Sequence, residues 1–329
     1  MKRDLSLDNL RFFLIFTVVF GHLLEVAVPF RGHGLLYQVI YSFHMPAFLF
    51  LFGYCARFSP RRIVFHCVIP YFIFQSIFLL AQNAFGVETP IQYTTPYWIL
   101  WYLVACIYYL LLIPIYDSPN KTVQILVFAA SVALALLVGF VDWIEYPFSL
   151  SRFFVFQPWF ILGFYCRKGA VLEKLKLSVK QKVLCGILLA ALICVSVLYL
   201  QRGMLQDEML YGTYPYSQLG YTLWTRLLLM AIAFCWLVVL FVVVKPLLSR
   251  RLPLVTAIGQ NTLPVFLLHG FFTRPISILC PEAVDSFALV LALTCAILLL
   301  LGNRWCKKLV EIVGLSPLER ILPQKTVKK

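Results

Sequence analysis

Charge is scarce in this sequence. Only 13% of its 329 residues are Asp, Glu, Lys or Arg, and just 14 are acidic. Soluble globular chains are about a quarter charged and about half apolar. A water-facing fold is therefore excluded for a chain that is 62% hydrophobic with a mean hydropathy of +0.88. The ten cysteines never fall in a CxxC spacing, so neither a disulfide framework nor a metal or redox site is indicated. Buried thiols acting as small apolar groups account for them. The sequence has no Walker loop, GxGxxG, GxSxG elbow or HExxH, and no pair of carboxylates inside one apolar run. Nucleotide-fold, hydrolase and metalloprotease readings lose support accordingly. No repeat, low-complexity segment or soluble domain interrupts the apolar pattern.

What the sequence does have is length for a membrane bundle. At 62% of 329 residues, the apolar residues number about 204, and ten helices of about 20 residues need about 200. The apolar runs predict spans at roughly 10–30, 35–56, 63–82, 97–116, 122–141, 150–166, 182–200, 221–244, 255–274 and 284–303. The first run is long enough to cross a bilayer and is not followed by a small-residue cleavage pattern, so a cleavable signal peptide is not expected. The expected fold class is an all-α polytopic membrane protein of about ten transmembrane helices. Residues 1–303 form the bundle and 304–329 a basic cytoplasmic tail.

The net charge of +14 could signal nucleic acid, but its placement argues for membrane topology instead. With the N-terminus cytoplasmic, 23 of the 28 Lys and Arg fall on the inner side, leaving Arg31, Arg152, Arg202, Arg226 and Arg274 outside or near outer helix ends. Cytoplasmic loops of membrane proteins carry such an excess. Both termini are thus expected inside, with an even number of spans, membrane lipids as partners and no nucleic acid. The basic loop from Arg167 to Lys182 and the tail from Arg304 suit orientation and anionic-lipid contact, or a landing zone for a phosphorylated ligand. Outer loops hold Trp143, Tyr146, Tyr211, Tyr214, Tyr216 and Tyr221. These read as interfacial anchors or as a sugar-stacking rim.

Ionisable groups inside membrane spans are costly, so they are candidate functional residues. The first span carries Arg11, His22 and Glu25. Eleven residues at 100° each bring Arg11 and His22 onto one face about 16 Å apart, and Glu25 lies within side-chain reach of His22. The bland alternative is a histidine satisfied by a carbonyl and a snorkelling arginine. In the second span His44 precedes Pro46 at a depth similar to His22. Pro46 lacks an amide hydrogen and opens the helix. Paired imidazoles at mid-membrane suit general acid–base work; helix packing is the alternative for His44. His269 falls in the outer third of the ninth span and Asn261 near its inner end, where a cap is the simpler role. Arg152 and Arg226 at outer helix ends could hold an anionic or polyhydroxylated acceptor, or snorkel. His66 lies beside Arg61 and Arg62, and His33 sits in an outer loop.

These residues carry a resemblance. LDNLRFFLIFTVVFGH at 7–22 resembles the first helix of the acyltransferase-3 family, the integral membrane O-acyltransferases, whose hallmark is Arg, ten residues, then His. Arg11 and His22 match it, with Asp8 at the acidic position before. SFHMPAFLFLFGY (42–54), PYWILWYL (96–103), RFFVFQPWFILGFYCRK (152–168) and GQNTLPVFLLH (259–269) are similar to further family blocks, in family order. The chain departs from the pattern at Phe52-Gly53, at Thr262, at Phe266, and at Arg61-Arg62, where Arg-x-x-Arg is frequent.

The resemblance is closest to the fucose 4-O-acetylase-like, polysaccharide-modifying branch. It implies transfer of an acetyl group from cytoplasmic acetyl-CoA, a substrate rather than a bound cofactor, to a sugar hydroxyl of a cell-envelope glycan. The setting would be the bacterial inner membrane, with glycan-assembly proteins as further partners. It implies catalytic roles for His22, Arg11, Glu25 and His44, with His22 as general base or transient acyl carrier and Glu25 setting its tautomer. Substrate binding would fall to Asp8, Trp101, Arg152, Asn261 and His269, and acyl-CoA binding to Arg61 and Arg62. No metal is implied. The alternative function is a transporter or translocase of a lipid-linked sugar or small polar solute that uses the same polar residues as a pathway. It receives little support, because the sequence shows no inverted repeat.

Overall fold

The computed structural model describes residues 4–26, 34–175, 177–201, 206–279 and 286–315, and among them every regular element is helical. The first helix, α1, covers Leu5–Val26. Asp4 caps it: its carboxylate accepts from the Ser6 amide at 3.0 Å and pairs with Lys245 at 3.0 Å. An acidic cap satisfies an orphan amide at a helix start and suits its positive end. Helix α2 covers Leu35–Cys55 and contains Pro46.

Helix α3, Pro60–Ala84, starts at Ser59, whose side chain accepts from the Arg62 amide. It widens into a π turn at Val64–Val68, where the Ile69 amide donates to the Val64 carbonyl five residues back. Pro70 is the cause. Its ring crowds the carbonyl four residues earlier and supplies no amide hydrogen, so the helix takes a wider turn. The same device recurs in α8 below, at Val239–Val244 before Pro246.

Helices α4 (Trp98–Leu111), α5 (Lys121–Phe140), α6 (Leu150–Lys168), α7 (Val179–Gln201) and α8 (Leu223–Leu247) follow. Three short helices come next: α9 (Pro253–Gly259), α10 (Thr262–Leu268) and α11 (Gly270–Leu279). Helix α12 (Phe287–Leu301) then turns by 67° into α13 (Arg304–Val313), which Asn303 caps by accepting from the amides of Trp305 and Cys306.

Five of these helices are long and apolar enough to cross a membrane: α1, α2, α3, α5 and α8. The bent pair α12–α13 makes a sixth if it is one span. Ten were expected. The difference has local causes. The run at 97–116 is interrupted at Leu112, just before Pro114. Helix α6 is diluted by Arg152, Gln157, Arg167 and Lys168. The run at 255–274 is cut into three by the breaks at Asn261 and before Gly270. Residues 27–30 and 284–285 of the expected spans lie outside the described residues, as do Arg31, His33, Arg202 and most of the expected basic tail (316–329).

Helix α1 is the axis of the bundle, and Leu10, Leu14, Ile15, Val19 and Leu23 along it are fully buried. Its neighbours approach it through glycine. A Cβ on Gly259 would stand 1.9 Å from the Asp8 carbonyl oxygen, so α9 crosses α1 backbone to backbone. Helices α2 and α6 cross in the same way: a Cβ on Gly53 would meet the Phe160 oxygen at 2.0 Å, and one on Gly163 the Phe50 oxygen at 1.9 Å. Small residues at membrane helix crossings permit this close van der Waals packing.

Gly163→Ala should therefore force the α2–α6 crossing apart and destabilise the protein by about 1–3 kcal/mol or more. Gly186→Ala, with nothing within 4 Å of its added Cβ, should be neutral or slightly stabilising. Thermal unfolding of the two variants in detergent distinguishes them.

Candidate active site

Two histidines from sequence-distant helices meet at the centre. Nδ1 of His22 on α1 lies 2.8 Å from Nε2 of His269, and the rings stack with centroids 5.1 Å apart and 7° between planes. His269 directs Nδ1 at the carbonyl oxygens of Val265 (2.9 Å) and Phe266 (2.8 Å). A carbonyl only accepts, so that nitrogen carries the hydrogen. The lone pair of a neutral His269 is then on Nε2, which makes Nδ1 of His22 the donor. In the neutral pair, Nε2 of His22 keeps its lone pair. By the same logic His44 donates from Nδ1 to the Ile40 carbonyl at 2.9 Å and keeps a lone pair on Nε2.

His22 and His44 both line a chamber of about 190 Å³. Glu25 lines it too and accepts from the Tyr41 hydroxyl at 3.0 Å. Arg152 lies over the rings of Trp101 (4.8 Å) and Tyr146 (4.9 Å) and donates from Nε to the Tyr211 carbonyl at 3.1 Å. Tyr211 and Tyr214, from the 206–222 segment, complete this wall. Outside the helices, burial pushes the phenols of Tyr146 and Tyr211 up, so they stay neutral. A chamber of aromatic rings, one carboxylate and one guanidinium can stack on a sugar face and hydrogen-bond its hydroxyls.

Trp98 completes the arrangement. Its indole lies 4.5 Å from the His22 ring, and the Arg274 guanidinium lies 4.4 Å from the indole. Its backbone has φ of 30°, a left-handed value that is costly for a bulky residue. Such strain persists where the surroundings over-determine it. Here the Tyr146 hydroxyl donates to the Trp98 carbonyl at 3.2 Å while the ring is held between His22 and Arg274.

A second and larger cavity, about 1480 Å³, opens at the other end. Arg57, Ser59, Arg61, Arg62 and His66 form its polar mouth, and Ile15, Phe48, Phe52, Tyr102 and Leu110 its apolar bore. His66 sits in the π turn of α3. Val18, Met45 and Phe266 line both cavities.

The expected site residues thus divide into groups. His22, Glu25, His44, Trp101 and Arg152 share the chamber. His269 stands behind His22, where it fills the tautomer-setting place expected of Glu25. Arg61 and Arg62 belong to the wide cavity. Arg11, Asp8 and Asn261 line neither cavity. Arg11 donates to Asp8 at 2.9 Å and to the Cys55 sulfur at 3.1 Å. Buried Asp8 also accepts from Gln260 at 3.1 Å, and Asn261 donates to the Ala257 carbonyl at 2.7 Å. Arg11 and Asp8 tie α1 to its neighbours, and Asn261 satisfies a carbonyl at the end of α9. Arg226 is likewise committed: it donates to the carbonyls of Ala135 and Tyr214 and to the Tyr221 hydroxyl.

Trp98, Tyr41 and Arg274 escaped sequence reasoning. Trp98 lay inside the PYWILWYL block, three residues before Trp101, and proximity to that tryptophan was its one signal. Arg274 is five residues past His269 and faces the same site because the helix breaks between them. Among the described residues, no group of three His, Cys, Asp or Glu side chains is placed to hold a metal.

The acyltransferase-3 family model, described as an acyltransferase domain, matches residues 4–302. No curated protein and no solved structure matches the chain.

The tautomer assignment is directly measurable. In ¹⁵N-histidine-labelled protein, His22 should show a protonated Nδ1 and an unprotonated Nε2. In His269→Ala the preference should collapse toward a mixture. An Nε2-protonated His22 in the wild type would overturn the assignment.

Proposed function

Because the chain belongs to the acyltransferase-3 family and is an acyltransferase of a multi-pass membrane type, we propose that it moves an acetyl group from cytoplasmic acetyl-CoA to a sugar hydroxyl of a cell-envelope glycan. The reading extends to the fucose 4-O-acetylase-like, polysaccharide-modifying branch and to the bacterial inner membrane, with glycan-assembly proteins as neighbours. The observation that carries it is His22, whose Nδ1 is engaged by His269, in a chamber of rings and hydrogen-bonding groups that shares Val18, Met45 and Phe266 with a cavity of cationic mouth.

The wide cavity suits the donor. Arg57, Arg61 and Arg62 at its mouth offer charge-assisted hydrogen bonds to phosphates, and the apolar bore takes the pantetheine arm. The chamber suits the acceptor. Its aromatic wall, Trp101 and Tyr146 included, suits a sugar's apolar side, and Glu25 and Arg152 offer partners for hydroxyls.

In the reaction, His22 Nε2 takes the proton of the acceptor hydroxyl as its oxygen attacks the thioester carbonyl carbon. The C–O bond forms, the C–S bond breaks, and the protonated His22 returns the proton to the departing thiolate. His269 holds the ring so that Nε2 is the basic nitrogen throughout, and its carbonyl-bound Nδ1 keeps it from turning.

The contacts gather Lys245, Arg250, Arg57, Arg61, Arg62 and Arg167 around the ends of α1 and α2 remote from the chamber. The positive-inside rule supports making that end cytoplasmic, with both termini inside. The donor then enters from the cytoplasm and the acceptor from the opposite face. A full set of ten crossings belongs to this proposal, with the broken helices α9–α11 counted as one.

Protein in nanodiscs with radiolabelled acetyl-CoA and a crude envelope glycan fraction tests this. His22→Ala, at normal membrane abundance, should lose about 10²- to 10⁴-fold in label transfer. Full activity there ends the mechanism.

The double variant Arg61→Ala/Arg62→Ala should raise KM for acetyl-CoA by about tenfold or more with little change in kcat, as expected for lost charge-assisted bonds. An unchanged KM would remove the donor from this cavity.

A further inference from the structure

The two cavities meet at a partition of three side chains: Val18, Met45 and Phe266 line both. Each stands one step from a histidine of the site. Val18 is one turn before His22 on the same face of α1, about 6 Å along the axis. Met45 is next to His44 in sequence, and both face the chamber. The Phe266 ring lies 6.4 Å from that of His269 and 5.2 Å from Tyr102, which lines the wide cavity. Any group that enters by the wide cavity and reaches His22 must pass these side chains.

We propose that Val18, Met45 and Phe266 form the size filter that restricts the transferred acyl group to acetyl. The inference rests on the donor assignment above and concerns what that assignment leaves open, the length of the acyl chain. A thioester reaching through from the wide cavity leads with its acyl end. Its carbonyl must come within about 3–3.5 Å of the attacking oxygen for transfer. With the carbonyl there, a methyl group occupies the space at the partition. Each further methylene has two places to go, and both are poor. Toward the chamber it meets Glu25, Arg152 and the Tyr41 hydroxyl, in a space of about 190 Å³ that the acceptor must share. Toward the bore it must displace Met45 or Phe266.

Apolar burial alone would favour longer chains, since each buried methylene is worth about 0.8 kcal/mol. Discrimination against them therefore has to be steric. The composition of the partition fits this. Val18 is buried and stiff at χ1, and Phe266 is held against Tyr102. Met45 is the unbranched member, able to swing aside for the thioester and close behind it.

The test compares CoA release from acetyl-, butyryl- and hexanoyl-CoA by purified protein in nanodiscs, with a crude envelope glycan fraction supplied. A methylene that does not fit an apolar pocket is discriminated by about 10- to 200-fold. The wild type should therefore prefer acetyl over butyryl by at least about tenfold in kcat/KM. Met45→Ala and Phe266→Ala should each narrow that preference by about tenfold, while the volume-conserving Met45→Leu keeps it. Val18→Ile adds a methylene at the partition and opens no cavity, and it should widen the preference. Equal use of all three thioesters by the wild type overturns the filter. So does an unchanged ratio across the variants while acetyl turnover persists. Failure of the wild type to turn over any thioester overturns the donor assignment instead, and reads differently from an unchanged ratio.

Discussion

The hydrogen bond between His22 and His269 sets the terms for the rest of the molecule. Two imidazoles in an apolar bundle have no water to satisfy them, so each must find partners inside the protein. His269 finds two carbonyls on its own helix and passes its remaining nitrogen to His22. That contact requires α10 to lie within side-chain reach of α1. The crossing of Gly259 over the Asp8 carbonyl supplies the approach, and Asn9 reinforces it by donating to the Leu248 and Arg250 carbonyls while accepting from Thr256. The polar groups at one end of α1 are therefore spent on geometry so that one nitrogen sixteen ångströms or so further along can stay unspent.

The two cavities suit the proposed reaction in different ways. For the proposed donor, Arg57, Arg61 and Arg62 place cations at the mouth of the wide cavity. For the proposed acceptor, the opposite chamber has Trp101, Tyr146, Glu25 and Arg152. In that reading the passage between them has to stay closed to bulk water, or hydrolysis would compete with transfer. Apolar side chains at the meeting point meet that need, and the broken, π-turned helices around it make room without exposing backbone to lipid.

Three backbone irregularities lie where function is proposed. The π turn ahead of Pro70 turns His66 to the wide cavity, and the left-handed Trp98 sets its indole against His22. The break before Gly270 aims Arg274 at Trp98. Away from the site, α8 carries the other π turn at Val239–Val244, and helices are held by close crossings such as Gly53 with Phe160 and Gly163 with Phe50. Local departures from regular geometry need a compensating environment, and the aromatic and cationic packing around His22 is that environment.

Composition and run length point to a helical membrane chain, because apolar runs of about 20 residues suit spanning helices, and the described residues are helical. The 3.6-residue period likewise put Arg11, His22 and Glu25 on one stripe, and Pro46 marked His44 as special. Beyond that, local spacing has no information. Whether a polar residue faces a chamber or a neighbouring helix depends on where other helices lie. Asp8 has a residue type suited to a site yet ties α1 to the end of α9, and Asn261 caps a local carbonyl, while Trp98 and Arg274, with no strong sequence signal, stand beside His22. The continuity of the apolar runs is hidden for the same reason: hydrophobicity reports how apolar a run is, not whether Pro, Gly or a tertiary contact cuts it. The identity of the basic nitrogen on His22 depends on a partner 247 residues away, a relation that exists only once the chain has folded.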